Sequence, residues 1–108
     1  MRNFIIALLA SLALSPQAYA ANASFKCSEH SNKVEKLICH DSELAELDSS
    51  LASLYHQVMK SIPADEQAAL KSEQREWIHS RNACDKAADP KMCIKEEYHA
   101  RIGELKDR

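Results

Sequence analysis

The chain is 108 residues long, room for one small domain. Its single glycine and three prolines are too few turn formers for a β-sandwich or barrel, and they leave no glycine-rich phosphate loop. A formal charge of −2 excludes a basic nucleic-acid footprint, and 28% charged residues is ordinary for a folded soluble protein.

The N-terminus reads as a targeting segment. Arg2 precedes an apolar run from Phe4 to Leu14, and Pro16 is followed by the small-residue cleavage pattern Ala18-Tyr19-Ala20. The run is too short for a bilayer, which takes about twenty apolar residues. Residues 1–20 are therefore expected to be a secretory signal peptide and residues 21–108 the mature domain, delivered to the periplasm or secreted. A second such pattern, Ala21-Asn22-Ala23, leaves the cleavage point open. No cysteine follows either site, so no lipid or membrane anchor is expected after cleavage. Loss of Arg2 makes the mature domain slightly more acidic, and the leader removes a large share of the apolar residues. A small core of this kind calls for covalent staples.

Cys27, Cys39, Cys84 and Cys93 all lie in the mature domain. An even count in a short exported chain reads as disulfides, and four cysteines allow three connectivities. The local pairs Cys27–Cys39 and Cys84–Cys93 are favoured, each tying one end of the domain for about 3 kcal/mol on chain-entropy grounds. Neither spacing matches the close pairs of zinc sites.

The remainder reads as helices. Asn32 and Glu35 form a capping box opening a helix of about two turns that ends near Cys39. Asp41 caps a second helix, with Glu43 in its first turn. There Leu44, Leu47, Leu51, Leu54 and Val58 form one apolar stripe. Pro63 stops that helix and suits the first turn of the next, where Asp65 and Glu66 follow. Leu70, Gln74, Trp77, Ile78 and Arg81 share a face of the third helix. Asp89-Pro90 is an N-cap and N1 pair, and the last helix carries Cys93, Ile94, Tyr98, Ile102 and Leu105 on one side. The expected fold is all-α: a small helical hairpin or bundle of one short and three longer helices, stapled by two disulfides.

Polar residues on these faces are the candidates for function. Asp48 sits at the margin of its stripe, and Arg81 lies beside Trp77. They are candidates for a buried pair that fixes helix register; the alternative leaves both in solvent. Arg101 has Glu97 four residues before it, the favourable order for an exposed pair. His30, His40, His56, His79 and His99 are scattered, with no two on one helix turn. Glu96-Glu97 and Asp65-Glu66 are adjacent in sequence, and helical neighbours point about 100° apart, so neither is an acid/base dyad. No nucleophile stands with a base. The reading is of a protein that is not an enzyme and has no cofactor or metal.

The run Phe25-x-Cys27, Glu35-x-x-Ile38-Cys39-x-Asp41-x-Glu43-Leu44-Ala45-x-Leu47-Asp48 and Tyr55 resembles the LprI family, the lysozyme-inhibitor LprI-like N-terminal domain group of exported bacterial proteins. Gln74-Arg75-x-Trp77-Ile78-x-x-Arg81-x-x-Cys84, Cys93 and Tyr98-x-x-Arg101-Ile102-x-x-Leu105 continue it, from about Phe25 to Leu105. The resemblance implies a small helical, disulfide-bonded domain of the bacterial envelope with Asp48, Tyr55, Gln74, Trp77, Arg81 and Tyr98 as structural motif residues. It implies a binding protein whose partner is a c-type lysozyme or another envelope protein. The alternative is an envelope-stress, chaperone-like or adaptor role.

C-type lysozymes are cationic, with two carboxylates in a cleft. Glu43, Glu46, Asp65, Glu66, Glu73 and Glu76 are acids that could steer such a partner. The Ser61–Asp65 turn and the Lys86–Lys91 loop are candidate protrusions. Lys86 and Lys91 are suited to approach cleft carboxylates.

Overall fold

The computed structural model describes residues 23–108; the expected leader and the first cleavage pattern lie outside them. Among the described residues there are four α-helices: α1 (Lys33–His40), α2 (Ser42–Ser61), α3 (Ala64–Asn82) and α4 (Pro90–Lys106), with a 3-10 turn at Ala83–Lys86. The chain is all-α, as expected.

Local chemistry places each helix end. Asn32 Oδ1 accepts the Glu35 N–H at 2.8 Å, and Glu35 Oε1 accepts the Asn32 N–H at 2.9 Å, completing the capping box. Asp41 alone separates α1 from α2, and its Oδ1 accepts the Leu44 N–H at 3.1 Å. Pro63 stands at the N-cap of α3, one position before the first turn. Gln67 Nε2 donates to the Met59 carbonyl at 3.0 Å, satisfying an acceptor that the end of α2 leaves open. Asp89 caps α4 through the Met92 N–H at 3.1 Å, with Pro90 at the start of the helix.

The apolar faces meet in one core. Val34 and Ile38 come from α1, and Leu44, Leu51 and Val58 from α2. Leu70 and Trp77 come from α3, and Ile94, Tyr98 and Leu105 from α4. α4 lies mainly against α2 and α3, and α1 sits on α2. Leu47 and Leu54 are only half-buried, at the edge of the α2 stripe, while Ala45 and Asp48 lie inside it. Ile78 is 37% exposed, so the buried stripe of α3 is Leu70, Trp77 and Arg81.

The disulfides are Cys27–Cys39 and Cys84–Cys93, the two local pairs. The first fastens the N-terminal segment along α1. The second fastens the 3-10 turn to the first turn of α4. Replacing both members of Cys84–Cys93 by serine is expected to lower the unfolding free energy by roughly 2–4 kcal/mol, read as a shift in the urea midpoint with little change in slope.

Candidate functional site

Three buried polar groups from three helices meet in the middle of the molecule. Asp48 (α2) and Arg81 (α3) are each 4% exposed, and Tyr98 (α4) is fully buried. The Tyr98 hydroxyl donates to Asp48 Oδ1 at 2.7 Å and accepts from Arg81 Nη1 at 3.2 Å. Asp48 and Arg81 are thus both inside, but they make no direct ion pair among the described residues; a phenol stands between them. Asp48 Oδ2 also accepts the Ser24 N–H. Arg81 Nε and Nη2 donate to Asn82 Oδ1 at 3.2 and 2.9 Å. Its guanidinium carbon lies 5.7 Å from the ring centres of both Phe25 and Trp77, a distance at which the ring faces favour the cation.

Two further contacts lock Tyr98. The Trp77 ring meets it edge-on at 4.9 Å between centroids. The indole N–H of Trp77 donates to the Glu97 carbonyl at 3.1 Å. Burial holds the Tyr98 phenol well above its ordinary pKa; the Asp48 charge adds to this and Arg81 opposes it. The hydroxyl therefore remains a proton donor. Its stabilising share is present below the unfolded-state pKa and is lost only as strongly alkaline pH forces ionisation.

Beside this network lies an open cleft of about 320 Å³. Asp48, Gln74 and Arg81 line it, with Leu51 and Tyr55 from α2 and Phe25 from the N-terminal segment. Four of the six expected motif residues thus share one surface, and Trp77 and Tyr98 pack behind it. Glu35, His56 and Ser24 also reach the cleft. The sequence marks Glu35 only as a cap and His56 only as one of five scattered histidines. Their meeting here depends on how α1 packs across α2, which helical periodicity does not report.

Arg101 departs from the expected exposed pair with Glu97. It is 4% exposed; its Nε donates to Gln74 Oε1 at 2.9 Å and its Nη1 to Glu104 Oε2 at 3.0 Å, with Glu73 at 3.8 Å. The reason is geometric: α4 turns this position toward α3, where Gln74 offers an acceptor. Its Nη2 is buried without a hydrogen-bond partner among the described residues. Glu73, Glu76, Glu97 and Glu104 surround this position and form an acidic groove between α3 and α4.

The two candidate loop lysines separate. Lys91 Nζ lies 2.7 Å from Asp41 Oδ2 and 3.6 Å from Glu43 Oε1, so it ties α4 to the α1–α2 junction. Lys86 is exposed on the 3-10 turn and pairs with no carboxylate among the described residues. The hydrogen bond from Lys91 is the main reason the Asp41 carboxyl titrates below its ordinary 3.8. Among the described residues there is no group of three or more side chains that could hold a metal ion, and no helix is long and apolar enough to cross a membrane.

Tyr98→Phe removes both the donor to Asp48 and the acceptor for Arg81 while keeping the ring. It is expected to cost about 1–3 kcal/mol in urea unfolding. The hydroxyl of Tyr55 has no partner among the described residues, and Tyr55→Phe should stay within about 0.5 kcal/mol. The Asp41–Lys91 pair contributes stability above the unfolded aspartate pKa, and that contribution is lost as pH falls through the depressed folded-state value. Lys91→Ala should therefore flatten the acid limb of the stability–pH curve; an unchanged limb would show that the pair stabilises nothing.

The chain matches the family described as "Lysozyme inhibitor LprI" over residues 26–105. It is 34% identical over 85 residues to proteins named "Lipoprotein LprI" from Mycobacterium bovis and Mycobacterium tuberculosis, an alignment that covers 79% of this chain and 42% of the relatives. The chain thus spans less than half the length of these relatives. No solved structure matches it. The family is named for inhibition, which works by binding and not by catalysis. With the match running through both disulfides and the whole Asp48–Tyr98–Arg81 network, the chain belongs to the LprI family.

Proposed function

We propose that the chain is an exported binding domain whose partner is a c-type lysozyme, which it inhibits by occupying the enzyme's surface. The observation that carries this reading is the match over residues 26–105 to an inhibitor family. Charge supports it. Glu73 and Glu104 are paired with Arg101 and Arg108, so Glu76 and Glu97, which make no ion pair among the described residues, give the groove its negative face toward a cationic enzyme, accelerating encounter. Lys86, exposed on a turn that Cys84–Cys93 fixes, is the basic group free to meet a carboxylate in the enzyme's cleft. Lys91 is already held by Asp41 and Glu43 and is the weaker candidate.

A chaperone-like or adaptor role calls for a contiguous apolar surface. The large apolar side chains exposed among the described residues are Leu37, Ile78 and Met92, one each on α1, α3 and α4. That pattern favours the inhibitor reading.

The oxidised, exported protein is expected to bind c-type lysozyme with sub-micromolar affinity and to slow lysis of cell-wall substrate. Association should slow several-fold between low and physiological salt. The Glu76→Gln/Glu97→Gln double variant should show a lower association rate and a smaller salt effect. Absence of binding at either salt would overturn the proposal.

A further inference from the structure

The cleft beside Asp48 and Arg81 carries chemistry that the acidic groove and the loop lysine do not use. Its two buried charges are already met. Asp48 accepts from Tyr98 and Ser24, and Arg81 donates to Tyr98 and Asn82. Neither therefore demands a counter-ion. The open polar ends are the Tyr55 hydroxyl, the Gln74 amide NH2, the His56 imidazole and one Glu35 carboxylate oxygen. None of these has a hydrogen-bond partner among the described residues, and each residue lines the cleft. Leu51, Ile78 and the ring of Phe25 also line the cleft and give it an apolar part.

This arrangement selects against a single strong charge. An anion meets Glu35 and Asp48, and a cation meets the Arg81 guanidinium. A neutral ligand whose polar groups both donate and accept matches the chemistry of these open ends. Sugar hydroxyls have that property, and a pyranose ring also presents an apolar C–H face to an aromatic or aliphatic wall. An acetamido substituent adds an amide carbonyl for the Gln74 NH2 and a methyl group for the apolar wall. The volume, about 320 Å³, is at the small end of ligand sites and suits a mono- or disaccharide unit.

We propose that the Tyr55–Gln74 cleft is a saccharide-binding site that takes a neutral N-acetylated hexose unit of a glycan chain. The site does not depend on lysozyme binding, and failure of one leaves the other standing. It gives the domain a second surface, directed at a polysaccharide and not at a protein.

The test is an NMR titration of the isotope-labelled, oxidised, exported protein with chitotriose. The expected result is shifts centred on Phe25, Leu51, Tyr55 and Ile78, with saturation in the millimolar range or below. His56→Ala, at an exposed position, and Tyr55→Ala should each weaken binding, the latter about tenfold, or about 1.4 kcal/mol. The amide spectrum of each variant reports whether it is folded. No shift at the highest concentration overturns the proposal. So do shifts centred elsewhere, or unchanged binding in folded Tyr55→Ala and His56→Ala. Equal binding of cellotriose, which lacks the acetamido group, overturns the assignment of the N-acetylated unit.

Discussion

The Tyr98 hydroxyl is the contact on which the rest of the molecule depends. A buried carboxylate and a buried guanidinium each carry a desolvation cost that only good partners offset. Here a single oxygen serves both, donating to Asp48 at 2.7 Å and accepting from Arg81 at 3.2 Å. It also fixes three helices in register, since Asp48, Arg81 and Tyr98 lie on α2, α3 and α4. A one-residue slide of any of these helices would break the chain of bonds and strand a buried charge. An apolar core of this size could settle in several near-equivalent packings. A polar network with one satisfactory geometry discriminates among them. The Trp77 ring, edge-on to Tyr98 and anchored through its own N–H to Glu97, closes the remaining freedom.

The disulfides act at the periphery of this arrangement. Cys27–Cys39 holds the N-terminal segment on α1, which brings the Ser24 N–H to Asp48 and the Phe25 ring to Arg81. Without it, those two contacts would have to order a segment that has no helix of its own. Cys84–Cys93 closes a short loop that carries the 3-10 turn between α3 and α4. The staples and the network are therefore complementary. The staples hold the N-terminal segment and the α3–α4 turn in place, and the network selects how the helices face each other.

The helices and both disulfide pairs are legible in the sequence because their causes are local. Capping residues, proline positions and three-four spacing act within a few residues of the structure they determine. Asp48 and Arg81 are legible as candidates for a buried pair, but the phenol between them is not. Tyr98 reads as one more apolar position on α4, and its partner in α2 is fifty residues away in sequence. Arg101 departs from its expected exposed pair for the same reason. Glu97 is near in sequence, whereas Gln74, the acceptor of its Nε, is on another helix. Lys91 belongs to this group as well: its carboxylates, Asp41 and Glu43, sit at the start of α2, about fifty residues earlier in the chain. The cleft cannot be read from the sequence at all. It is bounded by residues from the N-terminal segment and three helices, and no periodicity encodes their meeting.

The residues that carry the family resemblance are mostly those that build the fold. Asp48, Trp77, Arg81, Tyr98 and the four cysteines are buried, bonded to each other, or both. A change at any of them disturbs packing before it reaches a partner. Partner choice must then lie on side chains that the fold leaves free. Glu76 and Glu97 offer charge on the α3–α4 face, and Lys86 stands on a rigid turn. Of the six residues that the family resemblance marks as a motif, Tyr55 and Gln74 combine both properties. They are half-buried, so packing constrains them, yet the Tyr55 hydroxyl and the Gln74 NH2 point to no partner within the described residues. A motif residue whose polar end stays unused by the fold is where family membership and ligand recognition can coincide. In this molecule both such residues line the same cleft.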